Sequence, residues 1–217
     1  MSRIVRGVDV PLNVQGSLRP VLEKTLDLFT VYRKRTNAAN IEDAAHWYNE
    51  RATLSVLAAA AWKQGGIALE EYSMRKHGGC AGRADLWIKM PSEMFSFEAK
   101  QTWTTVLPGR GRERASYWLR EATRDAARVP KAEAQHRAGL VFVIPDLPQR
   151  RVDSFDPAAF VTEVRSAGCD FSAWWFASKP WPKSVKGRFY PGVVIVGRFV
   201  AERAAANRKP PAKAKAA

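Results

Sequence analysis

Asp85, Glu98 and Lys100 are the side chains whose types and spacing could do chemistry together. Glu98 and Lys100 lie two apart in Met94 to Gln101, a stretch with strand character, so alternation puts both on one face. Arg83 to Met90, which holds Asp85, reads as the preceding strand, and only Pro91-Ser92-Glu93 separates the two. A hairpin then brings Asp85 beside Glu98 and Lys100. Two carboxylates sharing a site repel, and a divalent cation held by hard oxygen ligands relieves the repulsion, with Mg²⁺ the common case and Mn²⁺ a substitute. A cation next to an ammonium suits hydrolysis of a phosphodiester, in which the metal generates hydroxide and both charges offset that on the phosphate. The bland alternative is a solvated hairpin with a cross-strand ion pair, which is worth little.

The neighbouring segments must position these groups. Ser17 to about Arg35 carries Leu18, Val21, Leu22, Leu26 and Phe29 at helical spacing. A second helix is expected over Ile41 to Gln64, with Asn40 as N-cap and Gly65-Gly66 as the stop. Ile67 to Met74 reads as a first strand ahead of the hairpin. Arg112 to Arg128 repeats Ala115, Trp118, Leu119, Ala122 and Ala126 at three-to-four spacing and is closed by Pro130. The unbroken apolar run Leu140 to Ile144 has the pattern of a strand covered on both faces. Asp156-Pro157 opens a helix to about Ala167, and Phe171 to Ala177 and Gly192 to Val200 read as further strands. The expected fold is α/β with a mixed sheet flanked by helices, in one domain over 1–200. Residues 201–217 read as a basic, disordered tail.

The order helix, three strands, helix, strand across about 41–145, with acid-x-lysine on the third strand, resembles the PD-(D/E)xK nuclease superfamily. The segments that carry the resemblance are Asn49-Glu50-Arg51-Ala52, Gly82-Arg83-Ala84-Asp85-Leu86 and Phe97-Glu98-Ala99-Lys100-Gln101. They look most like resolvase-like and restriction-type members. The resemblance implies a restriction-endonuclease-like core, metal binding at Asp85 and Glu98, a carbonyl ligand from Ala99 and a catalytic role for Lys100. Ala84 stands where the name-giving proline would be. Many members also carry a third acid on the first helix. Glu50 falls in the apolar series Trp47, Leu54, Leu57 and Ala61, where a carboxylate needs a partner, either in a salt bridge or at the metal site.

Across 217 residues, 35 Lys plus Arg against 21 Asp plus Glu give a net charge of +14, which points to a polyanionic partner. DNA is the expected one. Arg120, Arg124 and Arg128 form a row on the third helix, with Arg110 and Arg112 upstream, and read either as phosphate contacts or as a face salt-bridged to Glu121 and Asp125. Lys183 and Lys186 sit among Trp181, Phe189 and Tyr190, a mixture that could stack on bases. Gln101 faces away from Lys100, toward substrate or a strand edge. His46 and His77 read as surface, core or loop residues before metal ligands. Cys80 and Cys169 are too few for a disulfide framework or a four-cysteine zinc site. No apolar run is long enough to span a membrane, so a soluble, cytoplasmic protein is expected. The expected activity is Mg²⁺-dependent DNA cleavage, by a homodimer if both strands are cut symmetrically. The alternative is a nucleic-acid-binding or assembly module of the same fold without cleavage.

Overall fold

The computed structural model describes residues 4–75 and 81–201, so His77, Cys80 and the basic tail beyond Ala201 lie outside the described residues. A seven-stranded sheet runs in the order β1-β7-β9-β5-β4-β3-β2. Its strands are β1 (Val5–Asp9), β2 (Ile67–Arg75), β3 (Ala81–Lys89), β4 (Met94–Thr104), β5 (His136–Pro145), β7 (Phe171–Phe176) and β9 (Gly192–Phe199). Two short strands, β6 (Leu147–Pro148) and β8 (Arg188–Phe189), pair beside it. Among the described strands only β4 and β5 pair in parallel, and the crossover between them is α3 (Arg110–Ala126). The sheet is therefore mixed, and β5 occupies its middle, as its apolar run requires.

Helices cover both faces. On one side α1 (Gln15–Ala38) and α2 (Glu50–Lys63) bury Leu18, Leu22, Leu26, Phe29, Leu54 and Leu57 against Leu86, Phe97, Leu140 and Phe142. On the other, α3 and α4 (Pro157–Arg165) bury Leu119, Phe160 and Val164 against Val141, Val143 and Val194. Asp156 caps α4 by accepting from the Ala158 amide at 2.8 Å, and Pro157 follows it as expected. Glu163 of α4 in turn accepts from the Gly111 and Arg112 amides at 2.7 and 3.2 Å. The N-terminus of α3 thus carries its own carboxylate. Gly139 lets α3 sit hard against β5, since a Cβ there would lie 2.3 Å from the Thr123 nitrogen. Gly139 is also the register partner of Glu98, so α3 forms a close roof beside that carboxylate.

Two elements differ from expectation. The second helix begins at Glu50, nine residues later than Ile41. Asn40 adopts φ 54, and Asp43 accepts from Tyr32, from Tyr48 at 2.7 Å and from the Ala44 amide at 2.7 Å. Those side-chain bonds hold residues 40–48 in turns and a 3₁₀ segment, Ala45–Trp47, and compete with helix formation. Asn49 caps instead, accepting from the Ala52 amide at 2.9 Å. The other difference is β1, which pairs antiparallel with β7 on the far edge of the sheet. Its sequence Val-Arg-Gly-Val-Asp is too short, and too lightly punctuated by turn residues, to be distinguished from loop.

Candidate active site

The hairpin of β3 and β4 opens into a fork. Pairing runs from Lys89↔Met94 to Leu86↔Phe97 and stops, whereas β4 stays paired with β5 from Phe95 to Thr104. From Glu98 onward, one edge of β4 is left to side chains. Asp85 fills the first position, accepting from the Ala99 amide at 2.7 Å. An extended residue presents its N–H and C=O to the same edge, so the Ala99 carbonyl also faces the fork. Glu50, the first residue of α2, comes to the next position, where the Gln101 main-chain amide bonds to it.

Glu50, Asp85, Glu98 and Lys100 therefore lie within electrostatic reach of one another. Burial pushes the Glu50 carboxyl up to about 7, Asp85 and Glu98 push the same way, and Lys100 and the Gln101 amide pull it down. Glu98 is buried at 5 % exposure, Asp85 and Lys100 are half-buried. Among the described residues, no group of three or more His, Cys, Asp or Glu is arranged to hold a metal ion. The donor set itself is all hard oxygen, and crowded carboxylates around Glu50 are the condition a divalent cation relieves, so the residues fit Mg²⁺ in kind.

Gln101 has an internal task. Its Oε1 accepts from the Thr53 hydroxyl at 2.7 Å and its Nε2 donates to the His46 carbonyl at 3.2 Å. Both bonds tie the start of α2, and hence Glu50, to β4. Of the two roles expected for Gln101, substrate contact or a strand-edge bond, the structure displays an internal one. Gln101→Leu should lose about 1–3 kcal/mol of stability in a denaturant titration, because buried partners are left unpaired. A side chain used only for substrate would leave stability unchanged and raise KM.

His46 is buried at 1 % exposure, packs on Phe29 and Trp175, and donates from its ring to the Tyr190 carbonyl at 3.1 Å. Burial lowers its pKa to about 4, so it is a neutral core residue outside the acid cluster. The half-buried Cys169 thiol is pushed up by burial and contacts the Arg165 carbonyl. It is no activated nucleophile.

The arginine row is exposed but paired. Arg110 meets Glu113 at 2.7 Å, Arg120 and Arg124 share Glu121, and Arg128 lies 3.6 Å from Asp125. The salt-bridged alternative is the one observed, and exposed pairs of this kind yield easily to a competing phosphate. Arg112 is exposed as well. In the 179–190 loop, Trp181 is buried at 5 % exposure and Phe189 and Tyr190 pack against the core. Trp181 is therefore not available to stack on a base, while Phe189 and Tyr190 are only partly covered. Lys183 and Lys186 remain exposed, with Lys183 placed over Phe189.

A further acid, Glu71, carried no expectation from the sequence. It lies on β2 opposite Asp85, between the pairs Glu70↔Leu86 and Tyr72↔Ala84, and is itself skipped by the ladder at φ 53. The register is continuous on both sides of Glu71, one residue opposite one, so sequence alternation carries no mark of this break in the pairing. Among the described residues, no helix is long and apolar enough to cross a membrane. Compared with known proteins, the chain matches no family model, no curated protein and no solved structure.

Proposed function

We propose that this chain is a Mg²⁺-dependent nuclease with a restriction-endonuclease-like core, and that it hydrolyses phosphodiester bonds in DNA. The observation that carries the reading is the fork, which gathers Glu50, Asp85, Glu98 and Lys100 at the point where β3 leaves β4. The succession α2, β2, β3, β4, α3, β5 supports it further, being the order of that superfamily's core.

Mg²⁺ would be held by Glu50, Asp85, Glu98 and the Ala99 carbonyl, and when bound it supplies an acidified water and positive charge at the phosphate. The chain's own contributions are separable. Lys100 presents an ammonium beside the acids, where it offsets charge that builds on the phosphate during attack. Asp85 and Glu50 are oriented by main-chain amides of a strand anchored in mid-sheet, which fixes their carboxylates without help from mobile loops. Gln101 keeps α2 docked, and α3 shields Glu98 from bulk water. The net charge of +14 draws a polyanion toward an otherwise acidic site.

A second reading has an observation of its own. Asp85 and Glu50 both bond to backbone amides, an arrangement that would also suit a nucleic-acid-binding module that keeps the fork without cutting. The test is a panel of duplex, single-stranded and branched DNA and of RNA, each with Mg²⁺, with Mn²⁺ and with chelator. Metal-dependent cleavage of duplex or branched DNA is expected. A wild type that binds these substrates and cuts none of them establishes the binding module instead.

A further inference from the structure

Arg51 and Arg83 meet on one carboxylate at the rim of the fork. Glu71 forms ion pairs with Arg51 at 2.9 Å and with Arg83 at 3.3 Å, one guanidinium on each oxygen. Arg51 follows Glu50 on α2, and Arg83 lies two before Asp85 on β3, so each arginine is coupled to an acid of the site. Their side chains are 75 % and 64 % exposed. A guanidinium has five donors, and sharing one carboxylate leaves most of them pointing to solvent. Glu71 holds this position with its backbone out of the ladder at φ 53, a conformation unfavourable for any residue but glycine, asparagine or aspartate. Exposed ion pairs return little stability for that strain. Strain of this kind gathers where a side chain must be aimed.

From this geometry we infer that Arg51 and Arg83 form a phosphate clamp that seats the nucleic-acid backbone beside Glu50 and Asp85, with Glu71 as its positioning residue. The inference deepens the nuclease reading and rests on it for the class of substrate. An acidic centre repels a polyanion, and a pair of forked cations on the same rim holds one or two phosphates in place while planar N–H groups fix their orientation.

The experiment measures affinity for a labelled DNA duplex, in chelator, from low to high salt. Each phosphate that is no longer neutralised lowers the log–log salt slope by about 0.9, so the slope should fall by about 0.9 to 1.8 in the Arg51→Ala, Arg83→Ala double variant. In Mg²⁺ that variant should raise KM more than it lowers kcat. Glu71→Gly isolates the positioning role, because glycine adopts a positive φ freely and the variant should melt no lower than wild type. Removing a carboxylate ought by simple electrostatics to tighten DNA binding, whereas misalignment of the clamp weakens it. Weaker binding by Glu71→Gly is expected, and tighter binding overturns its role. A double variant with the wild-type slope overturns the clamp, even if the wild type cleaves DNA. A reduced slope in a protein whose wild type never cleaves overturns the nuclease reading and leaves the clamp standing.

Discussion

Lys100→Ala is expected to lower Mg²⁺-dependent DNA cleavage by about 10²- to 10³-fold, the usual effect of removing one group that offsets transition-state charge. Asp85→Asn and Glu98→Gln should each fall at least as far, since each removes an oxygen charge from the set proposed to hold the cation. Glu98 is buried at 5 % exposure, which makes glutamine the better substitution there; alanine would leave a cavity beneath α3. Lys100 is half-buried and can be truncated more safely. DNA affinity in chelator should largely survive all three, because apart from Lys100 the cations proposed to hold the backbone lie elsewhere. Initial rates on a labelled duplex, with melting curves to verify folding, check the set. A Lys100→Ala enzyme that cuts at the wild-type rate removes Lys100 from the chemistry.

Glu50→Gln is expected to act in opposite directions on the metal-free and metal-loaded protein. With its carboxyl raised from 4.5 to about 7, the folded chain binds that proton more tightly than the unfolded chain does. Metal-free stability should therefore fall as pH rises from about 4.5 to 7, and stay level above that. Solvent screening at a partly open group reduces the effect to about 1 kcal/mol, or about 2–4 °C in melting temperature for a chain of this size. Glu50→Gln lacks this dependence and should melt higher than wild type at pH 8 without metal. A divalent cation needs the carboxylate, so Mg²⁺ uptake releases a proton and strengthens as pH rises toward 7. In the variant the Mg²⁺-induced rise in melting temperature should shrink. A purely structural salt bridge gives the reverse, with lower metal-free stability and an unaltered metal response. Melting of both proteins at pH 5 and pH 8, with and without Mg²⁺ or Mn²⁺, separates the two.

The sheet and its helices are legible where periodicity is strong. Leu18 to Phe29 and Ala115 to Ala126 mark their helices because each apolar side chain lands on one face, and all of those named are buried or nearly so. Leu140 to Ile144 reads as a covered strand for the same reason. Asp85 could be placed beside Glu98 because a hairpin's register follows from its turn. What alternation could not reveal is that the hairpin splits after Leu86↔Phe97, since leaving the ladder depends on carboxylates replacing a strand. The start of α2 was hidden for a related reason. Ile41, Ala45 and Tyr48 have helical spacing, but Asp43 bonds to two tyrosines, from α1 and from the turn itself, and those bonds exist only in the folded chain. Gln101 gave no signal of its internal role, which depends on Thr53 and His46 arriving from elsewhere. Trp174 and Trp175, adjacent in a strand, face opposite sides of the sheet as alternation requires: Trp175 is buried, and Trp174 lies half-buried beneath Arg165.

Strand order also sets a timetable for the growing polypeptide. Every charged group of the fork lies between Glu50 and Gln101, so contacts close in sequence bring them together, and pairing of β4 with β5 then anchors them. The other half of the sheet waits. β9 must slide in between β5 and β7, and β1, the first of the described strands, finds its neighbour only when Phe171–Phe176 appears. Closing so long a loop is entropically slow, and until Gly192–Phe199 arrives the apolar β5 has a bare edge. A chain made only as far as β5 thus holds all the residues of the acid cluster while its sheet is unfinished and its most apolar strand is bare on one edge, a state open to misassembly.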